Sequence, residues 1–214
     1  PQLAGRVTDA LTTHPGGLVV VAPAGYGKST LVAEALDRLH HPVARVVCTT
    51  HDADPGRLAA SLLAAVQRAL PGAPDHVAEA VARSRGAVDP LAVVQAVLDE
   101  LDALLVDPVT LVVDDAEVIA ASPGARRVVS ELLRLDDPRI GVAVLSRRRL
   151  GLRLATIRGD ASILELGPED LAFTAGECHE YVALSTGEAP TDDELDRLYA
   201  ATEGWPLGVT TIVH

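Results

Sequence analysis

Gly17-Leu-Val-Val-Val-Ala22-Pro-Ala-Gly25-Tyr-Gly27-Lys28-Ser29-Thr30 decides how the rest of the chain is read. Gly17 to Ala22 is a short apolar run rich in β-branched residues, and from Ser29 to His40 the apolar Leu31, Ala35, Leu36 and Leu39 recur at helical spacing. The stretch is therefore strand, loop and helix, and its loop has the Walker A pattern of a phosphate-binding loop. Gly25 and Gly27 let the backbone wrap around phosphates, while amide hydrogens and the helix N-terminus supply positive potential. Lys28 is placed to reach terminal phosphates and Ser29 to ligate magnesium, with Ala24, Tyr26 and Thr30 completing the lining. Ala22 stands where the usual pattern has its first glycine.

The composition around this loop narrows the class. At 214 residues the chain is long enough for one α/β domain with the start of a second. Hydrophobic residues make up 48% but aromatics only 2%, a mixture suited to helices on a buried parallel sheet. A net charge of −12 would repel a phosphate backbone, so direct nucleic-acid contact is disfavoured and any DNA is expected to be met by a domain outside this segment. The 18 basic side chains include one lysine, Lys28, which sits where a compact ammonium is wanted. Cys48 and Cys178 form no paired framework, which fits a reducing compartment. With no leader and no membrane-spanning apolar run, a cytoplasmic protein without membrane contact is expected. The absence of methionine, with Pro1 first, suggests a piece of a longer protein.

Further strands are predicted at Val43–Thr50, Val109–Val113, Ile140–Leu145 and Ile163–Leu166. Between them come a helix from Pro55 to Leu70, two helices over 75–107 broken near Gly86, a helix after Pro123, and a basic, helical-looking stretch at 147–160. The alternation predicts an α/β fold with a five-stranded, mostly parallel sheet and right-handed crossovers, so that chemistry gathers at the strands' C-terminal edge. A boundary is placed at Gly167-Pro168, giving a nucleotide-binding domain over 1–167 and the start of a small helical domain over 168–214. There Thr174 with Glu177 and Thr191 with Glu194 form capping boxes, and Gly204-Trp-Pro206 opens a third helix.

Thr110-Leu-Val-Val-Asp114-Asp115 is an apolar strand ending on two carboxylates, the Walker B arrangement. Asp114 would hold the magnesium shell and Asp115 would orient or deprotonate an attacking water; alone, the pair could equally be solvated loop acids. Arg147, at the end of the fourth strand, could sense a γ-phosphate, or belong with Arg148 and Arg149 to a solvated basic run. A guanine-reading Asn-Lys-x-Asp is impossible because Lys28 is the only lysine, which disfavours GTP. Cys48 with His51, and Cys178 with His179, offer no metal-cluster spacing.

Taken in order, these stretches resemble the MalT-like signal-transduction ATPases, regulators related to AAA+ proteins, whose sheet is of the additional-strand type. Leu3-Ala-Gly-Arg6-Val7 is similar to the family's N-terminal motif beside the adenine, and Ser146-Arg147 to its sensor arginine. Leu164 to Thr174 resembles the segment that joins the ATPase core to its helical domain, and Glu203-Gly-Trp-Pro206-Leu-Gly that domain's signature. The resemblance implies that Arg6, Val7 and Pro206 lie near the adenine of bound ATP or ADP. It implies an ADP-bound resting form, ATP-driven opening with self-association, slow hydrolysis that resets the switch, and transcriptional control through DNA-binding and sensing modules outside this segment. The segment after the second strand, Cys48 to Pro55, lacks the bulky aromatics often seen there. Two other classes remain open: a catalytic ATPase or small-molecule phosphotransferase, and a scaffold that binds no nucleotide.

Overall fold

The computed structural model describes residues 2–12, 17–70, 92, 95, 108–135, 137–157 and 163–213. The predicted helices over 75–107 lie outside the described residues, apart from 92 and 95. Five strands form one sheet: β1 (Gly17–Val21), β2 (Val43–Val47), β3 (Val109–Asp114), β4 (Ile140–Ser146) and β5 (Ile163–Leu166). Their order is β2-β3-β4-β1-β5 and every pairing is parallel, so the expected "mostly parallel" sheet is wholly so. β4 is inserted between the strand that feeds the phosphate loop and the strand that ends on Asp114, which is the additional-strand arrangement.

Burial explains the sequence patterns. β3 and β4 are buried at every residue because helices cover both faces, hence their unbroken apolar runs. β2 is an edge strand and alternates: Ala44 and Val46 face the core, whereas Arg45 and Val47 are exposed. On one face α3 (Pro55–Ala69) and α4 (Pro123–Leu133) pack Leu58, Leu62, Val66, Val129 and Leu132 against Val113 and Val144. Each begins at a side-chain cap followed by proline: Asp54 accepts from the Arg57 amide and Ser122 from the Ala125 amide. On the other face α1 (Gln2–Thr12) and α2 (Lys28–Leu36) bury Val7, Leu11, Val32 and Ala35 with Leu18, Val20 and Val112.

Two expectations need correction. The second strand stops at Val47, short of Thr50, because Thr49 caps a 3-10 turn over Thr50–Ala53. The stretch 147–160 is not a long helix: in its described part, helix is confined to α5 (Leu154–Ile157). Ser146 Oγ donates to the Arg148 carbonyl at 2.6 Å and holds that turn out of helical geometry, and Gly151 sits at φ +69°.

After β5 come α6 (Pro168–Leu171), α7 (Ala175–Thr186), α8 (Asp192–Thr202) and α9 (Pro206–Val213). Both anticipated capping boxes form, Thr174 with Glu177 and Thr191 with Glu194. Cys178, Leu198 and Val209 make a small separate core with Phe173, Tyr181 and Val182. Among the described residues no helix is long and apolar enough to cross a membrane.

Candidate nucleotide-binding site

At the C-terminal end of β1 the Ala22 amide still donates to the Ser146 carbonyl, 3.1 Å away, and the chain then leaves the sheet. Gly25 and Gly27 take left-handed backbone angles, φ +82° and +74°. They bend the chain so that α2 starts on the next residue, Lys28, with no side chain capping its first turn. The leading amides of α2 are thereby left to face whatever occupies the loop, the arrangement that suits an anion.

Lys28 is only 9% exposed and folds back into the loop, where its Nζ donates to the carbonyls of Ala22 at 2.7 Å and Pro23 at 3.0 Å. Burial pushes its pKa below the ordinary lysine value, and Arg147 adds to this; Glu117, Asp114 and Asp115 pull the other way. Ser29 Oγ donates to Asp114 Oδ2 at 3.2 Å, so α2 and β3 bring together the two groups predicted to hold magnesium. Asp114 Oδ1 accepts the Asp115 amide at 2.8 Å. Asp115 itself is in the left-handed region, φ 51°.

Arg147 comes to the same edge from β4. Its guanidinium reaches Asp115 at 3.3 Å and Glu117 at 3.1 Å, and its amide donates to Glu117 at 3.0 Å. It is thus tied to the acids after β3, which a free basic run would not be. Pro206 is half-buried at the start of α9. Its neighbours touch the loop: Trp205 Nε1 donates to the Ala24 carbonyl and the Leu207 amide to the Gly25 carbonyl, both at 3.1 Å. Tyr26 packs at the margin of the core, Thr30 is exposed, Arg6 lies on the exposed side of α1, and Val7 is wholly buried beneath it.

Two contributors, Glu117 and Arg45, were not singled out from the sequence, and the contact made by a third, Trp205, was not foreseen. Glu117 was hidden because its role depends on β3 and β4 being adjacent. Trp205 stood inside a quoted motif, but its hydrogen bond needs a tertiary contact across 181 positions. Arg45 is ion-paired with Asp114 Oδ2 from the edge strand; an arginine alternating with Ala44 and Val46 is the one local sign of it. A cavity of about 570 Å³ lies beside the loop, between Ala22-Pro23 and the segments 147–154 and 165–170, and contains neither Lys28 nor Ser29.

The sequence pattern of the AAA domain family matches residues 11–152. The chain belongs to the AAA domain family. It is 28% identical over 197 residues to the HTH-type transcriptional regulator MalT of Cronobacter sakazakii; the match takes in 91% of this chain and 21% of that one. The chain therefore spans about a fifth of that relative's length. Its fold matches the signal-transduction ATPase with a tetratricopeptide repeat sensor from Pyrococcus horikoshii, with TM-score 0.63 at 14% identity over 98% of this chain and 29% of the other. It matches the Walker-type ATPase of Pyrococcus abyssi with TM-score 0.62, again at 14% identity, over 99% of this chain and 66% of that one. The AAA domain is thus a MalT-like P-loop NTPase domain, as the ordered motifs implied.

The donor set of the AAA domain suits a magnesium nucleotide. A hydroxyl and a carboxylate already 3.2 Å apart are hard oxygen ligands of the kind magnesium takes. A lysine ammonium and uncapped helix amides in the same loop suit phosphate oxygens.

Proposed function

We propose that this AAA domain is an ATP-binding, slowly hydrolysing switch within a multidomain transcriptional regulator, resting with ADP and active with ATP. The observation that carries this reading is the pair of hydrogen bonds from Trp205 and Leu207 to the phosphate-loop carbonyls of Ala24 and Gly25. A catalytic ATPase needs its loop to bind and release; a switch needs another element to feel what the loop holds. Here the N-terminus of α9 rests on the loop itself. An equilibrium between two arrangements moves only if the nucleotide prefers one of them, and a contact on the loop supplies that difference.

On this reading residues 1–167 are the nucleotide-binding domain and 168–214 the start of the helical domain that reports its state. Ala24 to Thr30 surround the phosphates, with Lys28 on their terminal oxygens. Ser29 and Asp114 hold magnesium, which neutralises phosphate charge when bound. Asp115 orients the attacking water and Arg147, paired with it, senses the γ-phosphate. Arg6, Val7 and Pro206 belong to the adenine side. DNA is met by a domain outside this segment, in keeping with the net charge of −12, and self-association accompanies the ATP form.

The test is to identify the nucleotide released from purified protein and to measure the particle mass in Mg-ADP and in Mg-ATP. Bound ADP, a larger mass in ATP and turnover slower than about one per minute are expected, against the median near 10 s⁻¹ of dedicated enzymes. Rapid steady-state hydrolysis, or failure to bind either nucleotide, overturns the switch.

A further inference from the structure

Asp114 is 5% exposed, and its oxygens are nearly all claimed. Oδ1 accepts the Asp115 amide; Oδ2 accepts both Ser29 Oγ and Arg45 Nη2. A carboxylate oxygen offers about two lone-pair sites, so both on Oδ2 are taken. One of the two donors is a full positive charge.

Arg45 arrives from the sheet's edge. The register sets Arg45 beside Val112 and Val47 beside Asp114, so Arg45 lies one pleat upstream on the same face as Asp114. Its side chain runs along the strand to the carboxylate, yet stays 43% exposed, which leaves a path into solvent. The pair neutralises a carboxylate that is otherwise buried.

We propose that Arg45 is a built-in competitor of magnesium at Asp114: its guanidinium holds the oxygen that the metal's shell needs, and magnesium binding obliges it to let go. The inference rests on the reading of Ser29 and Asp114 as the magnesium site. A monovalent guanidinium and a divalent ion cannot share one oxygen without strong repulsion. Arg45 therefore raises the magnesium concentration at which the loop takes up a metal-bound nucleotide, and it acts through Asp114 as a positioning residue.

The experiment is a magnesium titration of binding by a fluorescent ADP analogue, compared with binding of the same analogue in EDTA. In Arg45→Ala the half-saturating magnesium concentration should fall about three- to tenfold, the scale of a partly exposed charge pair, while affinity in EDTA stays as in the wild type. Arg45→Lys, which keeps the charge, should remain within about twofold of the wild type. Arg45→Gln, which keeps a donor without the charge, should follow Arg45→Ala and serves if the alanine variant misfolds. An unchanged or raised half-saturation in both neutral variants overturns the competition. If the wild type binds the analogue neither with magnesium nor without it, the nucleotide site itself fails, and the competition fails with it.

Discussion

At the scale of single residues, Lys28 concentrates the chemistry. Its ammonium already makes two hydrogen bonds to loop carbonyls at 2.7 and 3.0 Å, so it is held beside the space that α2's first amides face. Removing it takes away the one compact cation in the loop. Lys28→Ala should weaken ATP binding by about 2–5 kcal/mol, more than roughly thirtyfold, with circular dichroism unchanged. Unaltered affinity by calorimetry would remove Lys28 from the site. This residue was legible because its signal is local: the glycines that shape the loop and the lysine that uses it lie within four positions. Gly25 also answers to a distant neighbour: at φ +82° a Cβ would come within 2.7 Å of Leu207 Cβ and Trp205 Nε1. Arg45 and Glu117 were illegible for the opposite reason. Each acts on a residue in or just after another strand, and strand order cannot be read from periodicity.

At the scale of elements, the turn between β2 and α3 shows how a buried acid fixes a boundary. Asp52 is 4% exposed and accepts hydrogen bonds from the Thr49 amide at 2.7 Å, Thr49 Oγ1 at 2.8 Å and Ser61 Oγ at 2.6 Å. Burial alone would raise its pKa, but the bonds from Ser61 and Thr49 outweigh burial and hold the carboxyl below its ordinary value. Asp52→Ala should cost about 1–3 kcal/mol of stability at pH 7, read from urea unfolding. Because the folded carboxyl titrates below the unfolded one, its contribution is present above the ordinary carboxylate value. It is lost as pH falls through the folded value, so the gap between variant and wild type should begin to close below about pH 4. A gap that does not shrink at all as pH falls below the ordinary carboxylate value would assign the loss to packing instead. The sequence carries the sign of this turn, an acid three residues after Thr49, but inside a β-branched run that reads as strand, whereas the caps at Thr174 and Thr191 were plain, each pairing with a glutamate three residues on. The helical expectation over 147–160 failed because residue types were read without the Ser146 side-chain turn and the left-handed Gly151.

At the scale of the whole molecule, the question is how the helices after β5 are joined to the phosphate loop. Gly204 makes the join possible: at φ +76° its chain passes Phe173 so closely that a Cβ would lie 2.3 Å from the Phe173 carbonyl oxygen. That carries Trp205 and Leu207 onto the loop. Trp205 is the only tryptophan in the chain, and its indole N–H is bonded to the loop, so intrinsic emission reports this contact without a label. If the nucleotide is read through Trp205, Mg-ATP should shift the emission to the red as the indole exchanges the Ala24 carbonyl for water, while ADP should leave it close to its starting value. The hydrogen bond contributes only about 0.5–1.5 kcal/mol, so a ligand that disfavours it modestly can release it. Lys28→Ala should not show the red shift, which separates a response to the loop from a response of the solution. Should both nucleotides bind and give the same emission, the helices would be docked on the loop without reading it, and the γ-phosphate would have to act through Arg147 and the acids after β3 alone.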